Sequence, residues 1–343
     1  MAQNQTNETG TAASFRNRKY IQSPPKQVDY EAIRQLVSTN PYQLDGVLAK
    51  GAESVLYDAH CGAETFCVKC VRNFLNGWIG DAMTRDQQPL LKGVSYRTKR
   101  RHILNEFAVS KALFQKKATP ALHIYALRKV RRFGLEVGYD LVMERLSGHN
   151  LSDKVFLETF TLADKLEVMV QMAQALDYIH KRHYVHLDVK PSNFMLHNGR
   201  VKIIDFGVSV PNGYQPHAVT GTAGFLSPEQ ICKERVSPLA DIFALGISYA
   251  VIFGGRPLQQ SAKELKTRSY RDEARRQLRE DIVPVAGDMV QLTDYPDLEE
   301  ILRRCTTPKR EQRIPSCGVL LRQISIWAKD NGITLDSLKT EEK

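Results

Sequence analysis

Residues 42–71 alternate apolar and polar side chains, with breaks at Gly46, Gly51 and Gly62, and this period of two predicts three short strands joined by tight turns. Just upstream, Asp29 can cap a short helix running through Val37, which Asn40-Pro41 stops. Residues 73–96 then lose any period and contain Gly77, Gly80, Pro89 and Gly93, so they read as a long insertion, a kind of loop often functional or mobile. A helix is predicted over 99–117 and two further strands over 122–132 and 137–144.

Beyond Leu151 the period changes. Leu162, Leu166, Met169, Ala173 and Leu176 form a helical stripe within 161–183, and Thr161 with Asp164 supplies a capping-box start. Met169 and Met172 read most simply as core fillers. Further helices are predicted at 238–253, with Ser237 as N-cap and Pro238 at the first helical position, and at 298–305 and 317–329. A strand-rich first part therefore precedes a mainly helical second part. No repeat of fixed period appears.

Composition narrows the class. Residues 1–30 are rich in Asn, Gln, Thr, Ser and Lys and lack an apolar core, so a disordered tail is expected there and no signal peptide. The longest apolar stretch, 242–255, is interrupted by Gly246, Ser248 and Tyr249 and falls short of the roughly 20 residues a bilayer requires, so no membrane partner is expected. Six irregularly spaced cysteines give no disulfide framework and fit a reducing, cytoplasmic setting. Cys67 and Cys70 have a redox or metal spacing, but positions three apart on a strand face opposite ways, so the thiols should diverge.

The net charge of +10 gathers at Arg97, Lys99, Arg100 and Arg101 and at Arg128, Lys129, Arg131 and Arg132. These clusters read as a solvated helix face and a protected strand edge; with no aromatic platform beside them, nucleic acid is not an expected partner. His180, His183 and His186 have a metal-like spacing, yet the first two sit at a helix end that favours imidazolium.

The densest chemical signal is His186-Leu187-Asp188-Val189-Lys190-Pro191-Ser192-Asn193 followed by Lys202-Ile203-Ile204-Asp205-Phe206-Gly207. Together these resemble the catalytic loop and metal-binding segment of eukaryotic-type serine/threonine protein kinases. The resemblance runs over about 42–329 and implies an α+β, two-lobed fold with ATP and Mg²⁺ in the cleft. The lobes would be a small mainly-β N-lobe at 42–145, carrying the 73–96 insertion, and a larger mainly-α C-lobe at 146–331. Tails would occupy 1–41 and 332–343. It further implies that Asp188 accepts the proton of the acceptor hydroxyl, that Lys190 lies beside the γ-phosphate, and that Asn193 and Asp205 hold Mg²⁺. Phe206 would pack under the nucleotide-side helix, and His186 would be the family's structural loop histidine.

The first lobe should hold a phosphate-anchoring lysine on its third strand, and Phe66-Cys67-Val68-Lys69 offers Lys69, with Glu106 on the predicted helix as its partner. Taken alone, these would be an ordinary surface lysine and a solvated glutamate. Leu141-Val142-Met143-Glu144-Arg145-Leu146 resembles the inter-lobe hinge, with Met143 as gatekeeper and the backbone of Glu144 and Leu146 facing adenine. Leu48, Leu56, Cys67 and Met195 would supply apolar walls.

Gly221-Thr222-Ala223-Gly224-Phe225-Leu226-Ser227-Pro228-Glu229 resembles the end of an activation segment. In serine/threonine-specific members the hydroxyl equivalent to Thr222 bonds the catalytic Asp and Lys. Glu229 would pair with Arg313, and Asp241 would accept N–H bonds from the catalytic loop.

Two departures stand out. Of the family's glycine-rich loop only Gly51 is present, with Ala49 and Ser54 in glycine positions, so backbone N–H groups of Gly51, Ala52 and Ser54 would have to meet the phosphates. The Gly-Ala-Glu run also looks like the loop of small atypical kinases associated with tRNA modification, which lack such a Lys-Pro-x-Asn loop. Leu187 stands where many members place an arginine, and leucine cannot pair with a phosphate. The expected activity is protein serine/threonine phosphorylation on a protein substrate. A small-molecule phosphotransferase and a catalytically silent scaffold are the alternatives. Oligomeric state is unknown from sequence.

Overall fold

The computed structural model describes residues 28–73, 94–258, 267–280 and 292–338. Most of the predicted insertion and the first 27 residues lie outside them. The first helix, α1 (Tyr30–Thr39), starts as expected: Asp29 accepts from the N–H groups of Glu31 and Ala32. Strands β1 (Gln43–Lys50), β2 (Val55–Cys61) and β3 (Glu64–Arg72) follow. Gly46 does not break β1; it lies inside the strand, between Leu44 and Val47, where the register with β2 shifts, so it marks a bulge.

Helix α2 (Tyr96–Leu113) begins earlier than its sequence period suggested, because Ser95 accepts from the N–H of Thr98 and starts the helix inside what read as loop. It also ends earlier, where Phe114 turns to an extended conformation. Strands β4 (Ile124–Arg132) and β5 (Leu135–Met143) complete a five-stranded antiparallel sheet in the order β1-β2-β3-β5-β4.

The second lobe begins with β6 (Gly148–Asn150) and α3 (Lys154–Glu158) and is built on α4 (Leu162–His180). The capping box at Thr161 and Asp164 is present, and most of the α4 residues are buried, Leu166, Met169, Met172 and Leu176 completely. Strand β7 (Tyr184–Val185) pairs with β10 (Val210–Pro211), and β8 (Phe194–His197) pairs with β6 and with β9 (Arg200–Ile203). The helices α5 (Pro228–Cys232), α6 (Pro238–Ile252), α7 (Arg268–Glu280), α8 (Pro296–Arg303) and α9 (Cys317–Asp330) follow. Helix α6 is buried on nearly every side, which is why its sequence reads as one apolar run. No helix among the described residues is long and apolar enough to cross a membrane.

The two lobes are tied together by backbone and side-chain hydrogen bonds. Leu122 N–H donates to the Ile203 carbonyl at 3.0 Å and Ile203 N–H to that of Pro120 at 2.8 Å, while the Tyr178 hydroxyl donates to the Leu113 carbonyl at 2.6 Å. One core runs through both lobes, from Cys67, Ile103 and Met143 to α4, Phe206 and α9. A second, smaller core fills the other face of the sheet, where Tyr30, Ile33 and Val37 of α1 cover Phe66, Val68, Cys70 and Val142. Cys67 and Cys70 thus lie in different cores. The stretch after α9 also packs: Leu335 is buried, and Ser337 N–H donates to Glu167 at 3.0 Å.

The basic clusters are less solvated than their sequence suggested. Lys99 is buried, Arg100 donates to Glu136 at 3.0 Å, and Arg128 donates to the carbonyls of Val37 and Asn40 at the end of α1. Because β4 is an edge strand, Lys129 and Arg131 remain on its exposed side.

Candidate active site

The catalytic-loop residues are placed by backbone geometry that the Asp241 carboxylate holds. Buried at the start of α6, it accepts the N–H groups of His186 at 2.7 Å and Leu187 at 2.8 Å, and His180 Nε2 lies 2.8 Å from it. Leu187 has φ 64°, a left-handed conformation costing about 1–2 kcal/mol for a residue with a Cβ. The two-point grip of Asp241 and the Gln230 side chain, which donates to the Leu187 carbonyl at 2.9 Å, offset that cost. His186 packs edge-on to Phe206 with ring centroids 5.6 Å apart, and its Nε2 lies 3.1 Å from the Ile204 carbonyl. The three histidines are therefore separated in role: His180 meets Asp241, His186 meets backbone, and His183 is exposed.

On this frame Asp188, Lys190, Asn193 and Thr222 converge. Thr222 Oγ1 donates to Asp188 Oδ1 at 2.6 Å and accepts from Lys190 Nζ at 2.6 Å, and Lys190 Nζ also lies 2.9 Å from Asp188 Oδ2. Asn193 Nδ2 donates to the Asp188 carbonyl at 2.7 Å and to Oδ2 at 3.1 Å. The approach of Thr222 requires glycine before it, since at Gly221 (φ 116°) a Cβ would stand 2.5 Å from the Leu187 carbonyl oxygen.

Across the cleft Lys69 Nζ lies 2.7 Å from Glu106 Oε2 and 3.5 Å from Asp205 Oδ1. Burial lowers the Lys69 ammonium, but Glu106 and then Asp205 more than reverse this and hold it above its ordinary value. Burial lifts the Glu106 carboxyl to about 7 even with Lys69 beside it. Lys69 holds Asp205 below the usual carboxylate range, against the opposing effect of burial. Asp205, like Leu187, is left-handed at φ 65°.

Sequence reasoning missed the residue that fixes this segment. Asn105, beside Glu106 on α2, directs Nδ2 to the carbonyls of Phe206 (3.1 Å), Gly207 (3.1 Å) and Ser209 (2.9 Å). The only signal was its adjacency to Glu106. Also unforeseen, Glu53 in the β1–β2 turn reaches His102 on α2, with Oε2 and Nδ1 2.7 Å apart.

The expected nucleotide walls lie as follows. Cys67 pairs directly with Met143 across β3 and β5, and Leu56 stands opposite Lys69, so these side chains share the cleft face of the sheet. Met195 on β8 is half-buried, Leu146 packs against the main core, and Leu48 occupies the irregularity between Val47 and Ala49 and is largely exposed. Two backbone expectations are narrowed. Gly51 N–H donates to the Ser54 carbonyl at 2.9 Å to close the turn, so the loop keeps the N–H groups of Ala52 and Ser54 but not that of Gly51. Glu144 N–H donates to the His123 carbonyl at 2.8 Å and is therefore not free to meet a nucleotide.

Glu229 and Arg313, both completely buried, pair at 2.8 Å behind the activation segment.

A small antiparallel-sheet lobe beside a helical lobe, with the carboxylates of Glu106, Asp188 and Asp205 and the ammonium groups of Lys69 and Lys190 gathered between them, is the architecture of phosphotransferases of the kinase fold. Residues 91–323 match the family model described as the protein kinase domain. The chain belongs to the protein kinase domain family, whose members generally use ATP and Mg²⁺. It is 40% identical over 99 residues, 28% of its length, to an Aurora kinase of Eremothecium gossypii. To the probable serine/threonine-protein kinase PknB of Corynebacterium glutamicum it is 34% identical over 145 residues, 40% of its length. It is 39% identical over 124 residues, 34% of its length, to the serine/threonine-protein kinase PknA of the same organism. The matched stretches span only 27%, 22% and 26% of those relatives' own lengths.

Proposed function

We propose that this chain is a serine/threonine protein kinase, transferring the γ-phosphoryl group of ATP to hydroxyls of a protein substrate with Mg²⁺ as cofactor. The observation that carries this reading is the Thr222 hydroxyl held at 2.6 Å between Asp188 and Lys190, the arrangement that the family resemblance associates with serine/threonine acceptors. In this reading the acceptor oxygen attacks the γ-phosphorus and the bond to the β,γ-bridging oxygen breaks. ADP leaves with the bonding electrons, and the acceptor proton passes to Asp188. Lys190 offsets charge on the transferred group, and Lys69, oriented by Glu106, anchors the phosphates.

The donor set suits a hard cation. Asn193 spends its amide nitrogen on Asp188, which leaves its side-chain carbonyl oxygen as a hard donor that would serve together with the Asp205 carboxylate. Bound there, Mg²⁺ would neutralise phosphate charge. Leu56, Cys67, Met143, Leu146 and Met195 would enclose adenine, with the Glu144 carbonyl as acceptor for its amino group. All six cysteines are free thiols, which supports a reducing, cytoplasmic setting.

The test is transfer from radiolabelled ATP to Ser-, Thr- and Tyr-containing proteins and to small alcohols. Wild type should label protein at Ser or Thr, and Asp188→Asn should fold, bind Mg–ATP and lose about three or more orders of magnitude in turnover. Label on a small alcohol alone, or on tyrosine, would replace this reading, and no transfer by the folded wild type would point to a scaffold.

A further inference from the structure

The Glu144 side chain points away from the cleft into a closed polar cluster behind the hinge. Its carboxylate lies 2.7 Å from Lys202 Nζ of β9, 3.3 Å from the His123 N–H and 3.4 Å from His123 Nδ1. The side chains of Glu144, Lys202 and His123 are each exposed by a tenth or less. What closes the cluster is α1. The Tyr30 ring stacks on the His123 ring with centroids 3.9 Å apart and planes 14° apart, Lys202 Nζ lies 5.9 Å from the Tyr30 ring centroid, and the Tyr30 hydroxyl donates to Glu144 Oε1 at 3.4 Å. The other end of α1 is held by Arg128, which donates to the Val37 and Asn40 carbonyls, and its middle by Arg34 over the Phe114 ring at 4.9 Å.

We infer that α1 is a brace for the nucleotide hinge and that Tyr30 is a positioning residue for ATP, acting through Glu144. This rests on the kinase reading above, in which the carbonyl of that residue meets adenine. One residue then presents its carbonyl to the cleft and its carboxylate to the brace, so whatever fixes the carboxylate fixes the carbonyl. An ion pair grips only as hard as water is kept from it, because the attraction falls several-fold between a dry and a wet surrounding. Tyr30 is the side chain that keeps water from this pair on the α1 side. A helix of ten residues does not persist alone in water, where about 12–15 are needed, so α1 is formed by docking and its loss releases the hinge.

The test uses the full chain and reads the KM for ATP, the KM for a peptide acceptor and kcat separately, with direct titration of Mg–ATP binding. Tyr30→Ala should raise the KM and Kd for ATP about ten-fold, with kcat within about two-fold and the peptide KM unchanged. Tyr30→Phe, which keeps the stacked ring and loses only the long hydroxyl contact, should stay within about three-fold of wild type. A folded Tyr30→Ala with wild-type ATP affinity overturns the brace, as does an equal loss in kcat and in both KM values. If Tyr30→Ala fails to fold, Arg128→Gln, which frees the far end of α1, carries the test: it should weaken ATP binding selectively, and unchanged ATP affinity overturns the inference. A folded wild type that binds no ATP removes the kinase reading, and the brace with it.

Discussion

At the scale of single residues, Glu106 has the most consequential environment. Its carboxyl is fully buried, and burial lifts it to about 7, so it takes up a proton in a range where an exposed glutamate stays charged. The protonated form is neutral and grips Lys69 less strongly, so kcat/KM for ATP should rise with pH along a limb centred near 7 and level off above it. Stability moves the opposite way: with the folded value above the ordinary 4.5, this group's contribution is complete below 4.5 and is lost as the pH climbs through 7. Glu106→Gln should abolish the limb and lower kcat/KM by about 10- to 100-fold, the worth of a hydrogen bond to a charged group. A pH–rate profile with its acid limb near 4.5 instead would show that the Lys69 pair outweighs burial. Asp205, held low mainly by Lys69, stays charged across the same window and does not contribute to this limb.

The activation segment shows how an element works when one residue of its usual support changes. Leu187 is buried with Val185, Val236 and Ala240, and Val208 and Val210 pack against them, so an apolar cluster occupies the place where an arginine would meet a phosphate. Gln230 adds a tie, donating to the Thr220 carbonyl at 3.0 Å as well as to that of Leu187. The segment is thus already held in place without an added charge, and Ser209, buried with its hydroxyl on the His186 carbonyl, is out of reach of another enzyme. Thr220→Ala, and phosphatase treatment of the wild type, should leave turnover within about two-fold; loss of turnover with the fold intact would mean that a phosphate is needed after all.

This element also marks what a sequence can disclose. Asp188, Lys190, Asn193 and Asp205 were legible because they fall within one short loop–strand–strand stretch, 188–205, whose two motifs carry the family resemblance. Ser95 hid the true start of α2 because nothing local separates an N-cap serine from a loop serine. Tyr30 with Glu144, Glu53 with His102, and Asn105 with Phe206 are 114, 49 and 101 residues apart, and only the folded sheet and α2 bring them together. The same distance in sequence made Lys99 and Arg128 look like solvated charge.

At the scale of the whole molecule, the end of the activation segment and the helical lobe meet through one buried ion pair. Arg313 and Glu229 are fully buried, and Arg313 further donates to the carbonyls of Thr307, Pro308 and Leu239 and lies 5.0 Å from the Phe243 ring centroid. Such a pair gains little net stability, because desolvation cancels most of the attraction, but breaking it strands a charge in the interior at a cost of about 3–5 kcal/mol. Glu229→Ala should therefore lower unfolding stability by about that amount, whereas Arg313→Met together with Glu229→Leu, which removes both charges and keeps the volume, should recover much of it. Glu229 lies in the first turn of α5, just past Ser227 and the Thr222 turn, so even the recovered double variant should turn over more slowly if the pair also sets the Thr222 register. Denaturant melts beside turnover separate the two effects: a double variant restored in both would make the pair a matter of packing alone, and one restored only in stability would make it a fixed point from which the acceptor side of the cleft is positioned.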